Sequence, residues 1–177
     1  LDLMTNNDEI FNIPDIKNSP ITGEKKINEI TFQNDYAYLS TSFGIIQVNI
    51  EKKEISNTFY LNESGNLNVN ALTFFNDSIF AATEDGIYVA GENSNLLDYN
   101  SWLKTYNIST KKILSKGDYM YMIANDSLKY RTIDNEKIIG IKNLDYNNSN
   151  LRFSNNEIYL LTSRKIFKVD DKSTSTK

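Results

Sequence analysis

The sequence predicts an all-β chain of the β-propeller class, and three observations support this prediction. A fifteen-residue pattern occurs four times, each copy is accompanied by further short apolar runs, and these runs alternate apolar and polar residues at period two. About four strands in a unit of roughly 40 residues are typical of a propeller blade. A helical repeat of the same length would instead show a period of about 3.6 residues.

The four copies align without gaps, and their starts are separated by 42, 41 and 38 residues (34 to 76, 76 to 117, 117 to 155). In the first copy, Gly44 can take the positive φ that a tight turn between two strands requires. The copies are Asn34–Val48, Asn76–Ala90, Gly117–Arg131 and Asn155–Val169.

Two columns of the repeat keep one type of side chain in all copies. We interpret the aromatic column as packing between blades, because a position repeated in every unit usually has a structural role. A sugar-binding platform is the alternative. The fifth column is aromatic (Tyr38, Phe80, Tyr121, Tyr159) and the twelfth is a branched aliphatic residue (Ile45, Ile87, Leu128, Ile166).

These boundaries predict about four consecutive four-stranded blades that form part of a larger ring, for which we expect seven blades. Residues 1–26 are the end of a preceding blade, with Ile10–Ile16 as an outer strand in which Pro14 suits a sheet edge. Blades follow at 27–61, 69–108 and 111–141, and 149–169 is a partial blade that lacks its outer strand. The polar tail at 170–177 is predicted to be disordered.

The chain starts at Leu1 within an apparent strand, so we expect a fragment or a processed product. An arc cut from a ring would expose two blade faces. We therefore expect the isolated chain to associate with itself.

One loop is longer than a hairpin connection. Gly91–Ser101 is predicted to hold a single helical turn around Leu96 and Leu97. Asp98, Tyr99 and Trp102 are the candidate partner-binding residues, because amphipathic aromatic side chains are enriched at binding hot spots. Packing of Trp102 against its own blade is the competing interpretation.

Composition excludes several classes of function. The net charge of −4 argues against nucleic-acid binding, which normally requires a basic face. The absence of Cys and His removes thiolate and imidazole chemistry, so we expect no catalytic, cofactor or metal residues. Glu84 and Asp85 are adjacent carboxylates, which we interpret as an exposed turn. No run of 18 apolar residues predicts a transmembrane helix.

An ordered set of short motifs runs through the first two full units and the residues just before them. The set comprises Asn12–Ile16, Ile27-Asn28, Tyr38–Ile45, Glu54-Ile55, Thr58, Tyr60, Val69–Leu72, Ala81–Tyr88, Asn95–Tyr99 and Trp102. In these motifs the chain resembles a known family, the first propeller of the PorZ proteins of the Bacteroidetes type IX secretion system. More distantly, it resembles the propeller repeats of two-component regulators. Ser127 and Lys165 depart from the pattern at the column of Gly44 and Gly86, so the resemblance is weaker in the second half.

This resemblance implies a non-catalytic protein on the outer face of the outer membrane. There it would belong to an attachment complex in which a sortase-like peptidase processes cargo and joins it to anionic lipopolysaccharide. The expected partners are that peptidase, other proteins of the complex and lipopolysaccharide. The first alternative is a periplasmic ligand-sensing propeller of a hybrid two-component histidine kinase. A carboxylate enzyme such as a glycan lyase or hydrolase is the weaker alternative, because no convincing acid pair is present.

Overall fold

The computed structural model describes residues 1–4, 8–13, 16, 24–125, 127–140, 149–170 and 173–176. Their strands form four four-stranded sheets and one two-stranded sheet, all of them antiparallel. Within each four-stranded sheet the strands are hydrogen-bonded in chain order. The predicted architecture of consecutive propeller blades is therefore confirmed.

The two-stranded sheet precedes the first blade. It pairs β1 (Asp2–Met4) with β2 (Ile10–Asn12), so the strand predicted over Ile10–Ile16 is shorter than expected. Buried Ile13 and Ile16 follow it and pack against the first blade. Pro14, for which an edge position was predicted, lies outside the described residues.

The first and second blades each contain a complete meander. Blade one comprises β3 (Ile27–Gln33), β4 (Tyr36–Thr41), β5 (Gly44–Asn49) and β6 (Glu54–Phe59). Blade two comprises β7 (Val69–Phe74), β8 (Ser78–Thr83), β9 (Ile87–Gly91) and β10 (Leu103–Tyr106).

The third and fourth blades repeat this arrangement. Blade three comprises β11 (Thr110–Lys116), β12 (Tyr119–Ala124), β13 (Ser127–Thr132) and β14 (Asn135–Gly140). Blade four comprises β15 (Asn150–Ser154), β16 (Glu157–Leu161), β17 (Ile166–Asp170) and β18 (Ser173–Thr176).

Residues 173–176 of the tail form a strand, so the predictions of a disordered tail and of a missing outer strand in blade four are wrong for these described residues. Strand β18 pairs with β17 over four residues, from Phe167 opposite Thr176 to Asp170 opposite Ser173. The prediction rested on the polar, low-complexity sequence. An outer strand is held by backbone hydrogen bonds, which do not require apolar side chains, and Thr is itself a favourable strand residue.

Each blade begins its repeat with a residue in the left-handed backbone region. This residue is Asn34, Asn76, Gly117 or Asn155, with φ between 49° and 53°. Asn and Gly tolerate this conformation better than other residues do, and it suits the tight turn from the first strand of a blade to the second. The first column of the repeat is thus a turn position, which the sequence analysis did not single out.

The core consists of separate layers between consecutive blades. Tyr38, Phe80 and Tyr121 are buried in three successive layers, which confirms the packing interpretation of the aromatic column for these copies. In the aliphatic column Ile45, Ile87 and Leu128 are buried, but Ile166 of blade four is exposed. Ile166 lies on the last blade, where no further blade of the described chain covers it.

The first strands of the blades contact one another around a common axis. Strand β3 contacts β7, β7 contacts β11, and β11 contacts β15. We call these four strands the inner strands. Their side chains surround the axis, while the long loop of blade two lies at the other edge of its sheet, before β10.

Candidate functional site

The long loop of blade two is anchored and not loose. Its helical turn is a 3₁₀ turn over Tyr99–Ser101, three residues later than predicted. The Asp98 carboxylate caps this turn by accepting a hydrogen bond from the backbone N–H of Asn100 at 2.9 Å. A short polar side chain before the turn is the usual way to satisfy its free N–H groups.

Trp102 fixes the end of this loop to the core. Its side chain is only 4% exposed and packs in the layer between blades one and two. Its indole N–H donates to the carbonyl of Leu96 at 3.1 Å. The buried indole offers little surface to a partner, and the predicted role of Trp102 in partner binding stays a prediction.

Exposed apolar side chains lie on both sides of the buried tryptophan. Leu97 and Leu103 are exposed, and Tyr99 is 39% exposed. Asp98 is also exposed. We call Leu97–Tyr99 together with Leu103 the loop surface. Asp98 and Tyr99 belong to it, and their predicted role in partner binding stays a prediction.

A second polar site lies on the axis. The ammonium group of Lys112, on the inner strand of blade three, forms an ion pair with Glu29 on the inner strand of blade one. Arg152 of blade four lies 3.9 Å from the same carboxylate. Burial lowers the pKa of the Lys112 amine, and the neighbouring Glu29 carboxylate opposes this effect.

The axial ion pair spans an intervening blade. Ala71 occupies in blade two the position that Glu29 occupies in blade one and Lys112 in blade three. Each of the three is the first residue after a bulge in its inner strand that pairs with the second strand of its blade. Ala71 is buried and small. Glu29 and Lys112 are 83 residues apart in the chain, which is the sum of the first two repeat separations, so the two partners occupy the same position of their blades.

Further along the axis the lining becomes apolar. A cavity of about 460 Å³ includes Ile30, Phe32, Phe74 and Phe153 along with the charged residues. Phe32 and Phe153 are more than half exposed. The inner strands therefore present a charged region followed by an aromatic one.

Polar bonds between blades hold the inner strands in register. Asn28 donates to the carbonyl of Val69 at 2.8 Å, and Asn70 donates to the carbonyl of Thr110 at 3.0 Å. Both asparagines occupy the same bulge of their strands. Their separation of 42 residues (28 to 70) matches the repeat, so this structural role left a signal in the sequence.

The adjacent carboxylates Glu84 and Asp85 take part in structural hydrogen bonds. Asp85 accepts from Lys104 at 2.8 Å and from the Tyr88 hydroxyl at 2.9 Å. Glu84 accepts from Ser109 at 2.9 Å. The hydrogen bond from Lys104, followed by that from Tyr88, lowers the pKa of Asp85, so it is poorly suited to act as a general acid.

Neither a metal cluster nor a membrane-spanning helix is found in the part of the chain that the structure describes. No group of three or more acidic side chains there could hold a metal ion. No helix among those residues is long and apolar enough to cross a membrane.

Comparisons with known proteins agree with this fold. A family model described as the N-terminal β-propeller domain of PorZ, from the type IX secretion system, matches residues 1–103. No curated protein sequence matches the chain.

Several solved structures resemble the chain. PorZ of Porphyromonas gingivalis, described as an essential bacterial surface component of the type IX secretion system, is 17% identical with a TM-score of 0.82, over 98% of this chain and 24% of that one. The extracellular domain of BT4673 from B. thetaiotaomicron is 12% identical with a TM-score of 0.65, over 88% of this chain and 22% of that one. An auxiliary nutrient binding protein from Bacteroides thetaiotaomicron is 14% identical with a TM-score of 0.63, over 85% of this chain and 40% of that one. The chain thus spans about a quarter of the PorZ structure that it matches.

Proposed function

The chain belongs to the family of PorZ N-terminal β-propeller domains of the type IX secretion system, and we propose that it is a non-catalytic binding module of the attachment complex at the cell surface. The match of the family model over residues 1–103 is the observation that carries this proposal. In the proposed role, the propeller holds a sortase-like peptidase, other proteins of the complex and lipopolysaccharide close to each other at the outer membrane.

The loop surface is the proposed contact with a protein partner. The exposed side chains of Leu97, Tyr99 and Leu103 offer apolar area and one phenol hydroxyl. Buried Trp102 and the 3₁₀ turn keep the loop ordered before a partner binds. A loop that is already ordered loses less conformational entropy on association. Asp98 supports this surface through its cap and offers one exposed carboxylate.

Scaffolding fits the way the chain uses its carboxylates. Glu84 and Asp85 take part in hydrogen bonds that support the blade, and Glu29 pairs with Lys112. Retaining and inverting glycosidases require two carboxyl groups facing one substrate bond. These three carboxylates are instead committed to contacts within and between blades, which supports a binding role over an enzymatic one.

The proposal can be tested by recovering the partner with the full-length protein. Tagged protein would be purified from outer membranes in mild detergent, and the sortase-like peptidase would be measured in the eluate. We expect the peptidase to co-purify, and Tyr99→Ala to weaken its binding about tenfold, because aromatic anchors at interfaces often contribute this much.

Ile133→Ala provides a matched control for this experiment. Ile133 is 39% exposed, like Tyr99, but lies in a turn of blade three. We expect this variant to retain the peptidase. Absence of the peptidase from the wild-type eluate would contradict the complex, and an equal loss in both variants would contradict the role of the loop surface.

A sensor propeller is the second candidate function. It is supported by the similarity to BT4673, whose structures are described as extracellular domains of a one-component or hybrid two-component system. The sequence downstream in the intact gene distinguishes the two. A second propeller and a C-terminal sandwich domain would support secretion, whereas a membrane span followed by a kinase domain would support sensing.

A further inference from the structure

A small polar cavity opens on the axis beside the ion pair of Glu29 and Lys112. Its volume is about 200 Å³, and its lining includes both of these residues together with Lys111, Ser149, Asn150 and Arg152. They come from the inner strands of blades one, three and four, and from the residue before β15. Asn70 on the inner strand of blade two completes the lining, so the cavity exists only because four blades meet at the axis.

Three polar atoms in this lining have no hydrogen-bond partner in the described part of the chain. They are Oε2 of Glu29, the hydroxyl of Ser149 and Oδ1 of Asn150. Ser149 is only 2% exposed, so its hydroxyl cannot form a hydrogen bond with bulk water. A buried polar group without a partner destabilises the fold, because it has given up its hydrogen bonds with water and gained none in return. A ligand that completes these hydrogen bonds would offset that cost.

The charge of the lining restricts the ligand. Lys111, Lys112 and Arg152 contribute three positive charges and Glu29 one negative charge, which leaves an excess of two positive charges. Lys111 is exposed, and the side chain of Arg152 is 57% exposed. Both can turn toward an anion at the mouth of the cavity. A metal ion or an ammonium group would instead be repelled by these cations.

We propose that this cavity binds a small hydroxylated acid, a molecule with one carboxylate and several hydroxyl groups. The carboxylate pairs with Arg152 and Lys111. Hydroxyl groups donate to the free oxygens of Glu29 and Asn150 and accept from the hydroxyl of Ser149, since a hydroxyl is both a donor and an acceptor. A cavity of about 200 Å³ has room for a single sugar-acid ring.

Calorimetric titration of the full chain with D-glucuronate tests this proposal, with D-glucose as the uncharged comparison. We expect saturable binding of glucuronate and much weaker binding of glucose. Arg152→Gln and Lys111→Gln should each weaken glucuronate binding about tenfold, because each removes one charge-assisted hydrogen bond. Both side chains are exposed enough that the variants should fold, which circular dichroism would verify.

Arg164→Gln is the matched control, because Arg164 is an exposed arginine in the turn between β16 and β17, outside the cavity lining. It should bind glucuronate like the wild type. The proposal is overturned if glucuronate does not bind, if glucose binds equally well, or if Arg164→Gln weakens binding as much as Arg152→Gln. This cavity is separate from the loop surface, so glucuronate binding and recovery of the peptidase can fail independently.

Discussion

At the scale of single residues, Tyr88 and Asp85 show how a blade uses an acidic turn. The Tyr88 hydroxyl donates to Asp85 at 2.9 Å, and Lys104 on the neighbouring strand donates to the other carboxylate oxygen. Burial, assisted by this hydrogen bond, raises the pKa of Tyr88 from 10.0 to about 12. The fold therefore stabilises the protonated form of the Tyr88 phenol.

This shift predicts a loss of stability in alkali. Below pH 10 the phenol is protonated in both folded and unfolded chains. Between pH 10 and about 12 the unfolded chain loses this proton first, so the free energy of unfolding falls as pH rises. Urea unfolding should show the wild type to be more stable than Tyr88→Phe at about pH 9, with the difference disappearing toward about pH 12.

Tyr99→Phe is the control for this measurement, because it removes an exposed phenolic hydroxyl. It should not change the pH dependence. A difference between wild type and Tyr88→Phe that stayed constant across this range of pH would show that the folded chain does not raise the pKa of Tyr88.

At the scale of elements, the turn between the second and third strands is closed in two ways. In blades one, two and four a threonine hydroxyl bonds across the turn to the carbonyl of Gly44, Gly86 or Lys165, at 2.8 to 2.9 Å. Blade three has Ala124 in the place of this threonine and a left-handed Asn125 next to it. This explains how Ser127 and Lys165 replace glycine in the later copies without loss of the hairpin. The threonines are Thr41, Thr83 and Thr162.

Gly44→Ala should destabilise blade one. Gly44 has φ of 140°, and a Cβ built there would lie 2.4 Å from the carbonyl oxygen of Phe59, on the neighbouring strand. Both the backbone conformation and the contact oppose a side chain. We expect a loss of about 2 kcal/mol or more in the free energy of unfolding, measured in urea.

Gly91→Ala is the matched substitution, because a Cβ there has no atom within 4 Å and the backbone φ is not positive. We expect a change of less than about 0.5 kcal/mol. Equal effects of the two substitutions would show that loss of glycine, and not the turn geometry, determines the result.

At the scale of the whole molecule, the blades are joined by apolar layers and by the axial ion pair. Each layer joins consecutive blades, whereas Glu29 and Lys112 connect blade one directly to blade three. A contact that skips a blade couples units that would otherwise interact only with their neighbours. The expected ring of seven blades and the expected self-association stay predictions.

Lys112→Met should therefore destabilise the arc by about 3 kcal/mol, because it leaves the mostly buried Glu29 carboxylate without its main partner. The double variant Glu29→Gln with Lys112→Met should recover much of this loss, since no uncompensated charge remains. Urea unfolding of the wild type, the single variants Lys112→Met and Glu29→Gln, and the double variant measures both effects.

Lys104→Met, which breaks the exposed pair with Asp85, should cost less than about 1 kcal/mol. If Lys112→Met cost no more than this control, the axial pair would not couple the blades. Additive losses in the double variant would lead to the same conclusion.

The sequence by itself determined the repeat, and with it most of the fold. Turns with Asn or Gly, the aromatic column and period-two alternation are local properties that each copy carries in its own residues. In blades one to three the strands lie where these repeat units occur in the sequence. The outer strand of blade four escaped prediction because its pairing depends on backbone groups, and its Ser and Thr side chains carry no apolar pattern.

Only the tertiary structure decided which residues are accessible and which distant residues meet. Trp102 looked like a contact residue in the sequence, yet the layer between two blades buries it and leaves Leu97, Tyr99 and Leu103 exposed. Glu29, Lys112 and Ser149 belong to different blades and come together only at the axis. Exposure and long-range pairing depend on how blades are arranged around that axis, and no local pattern of residues encodes that arrangement directly.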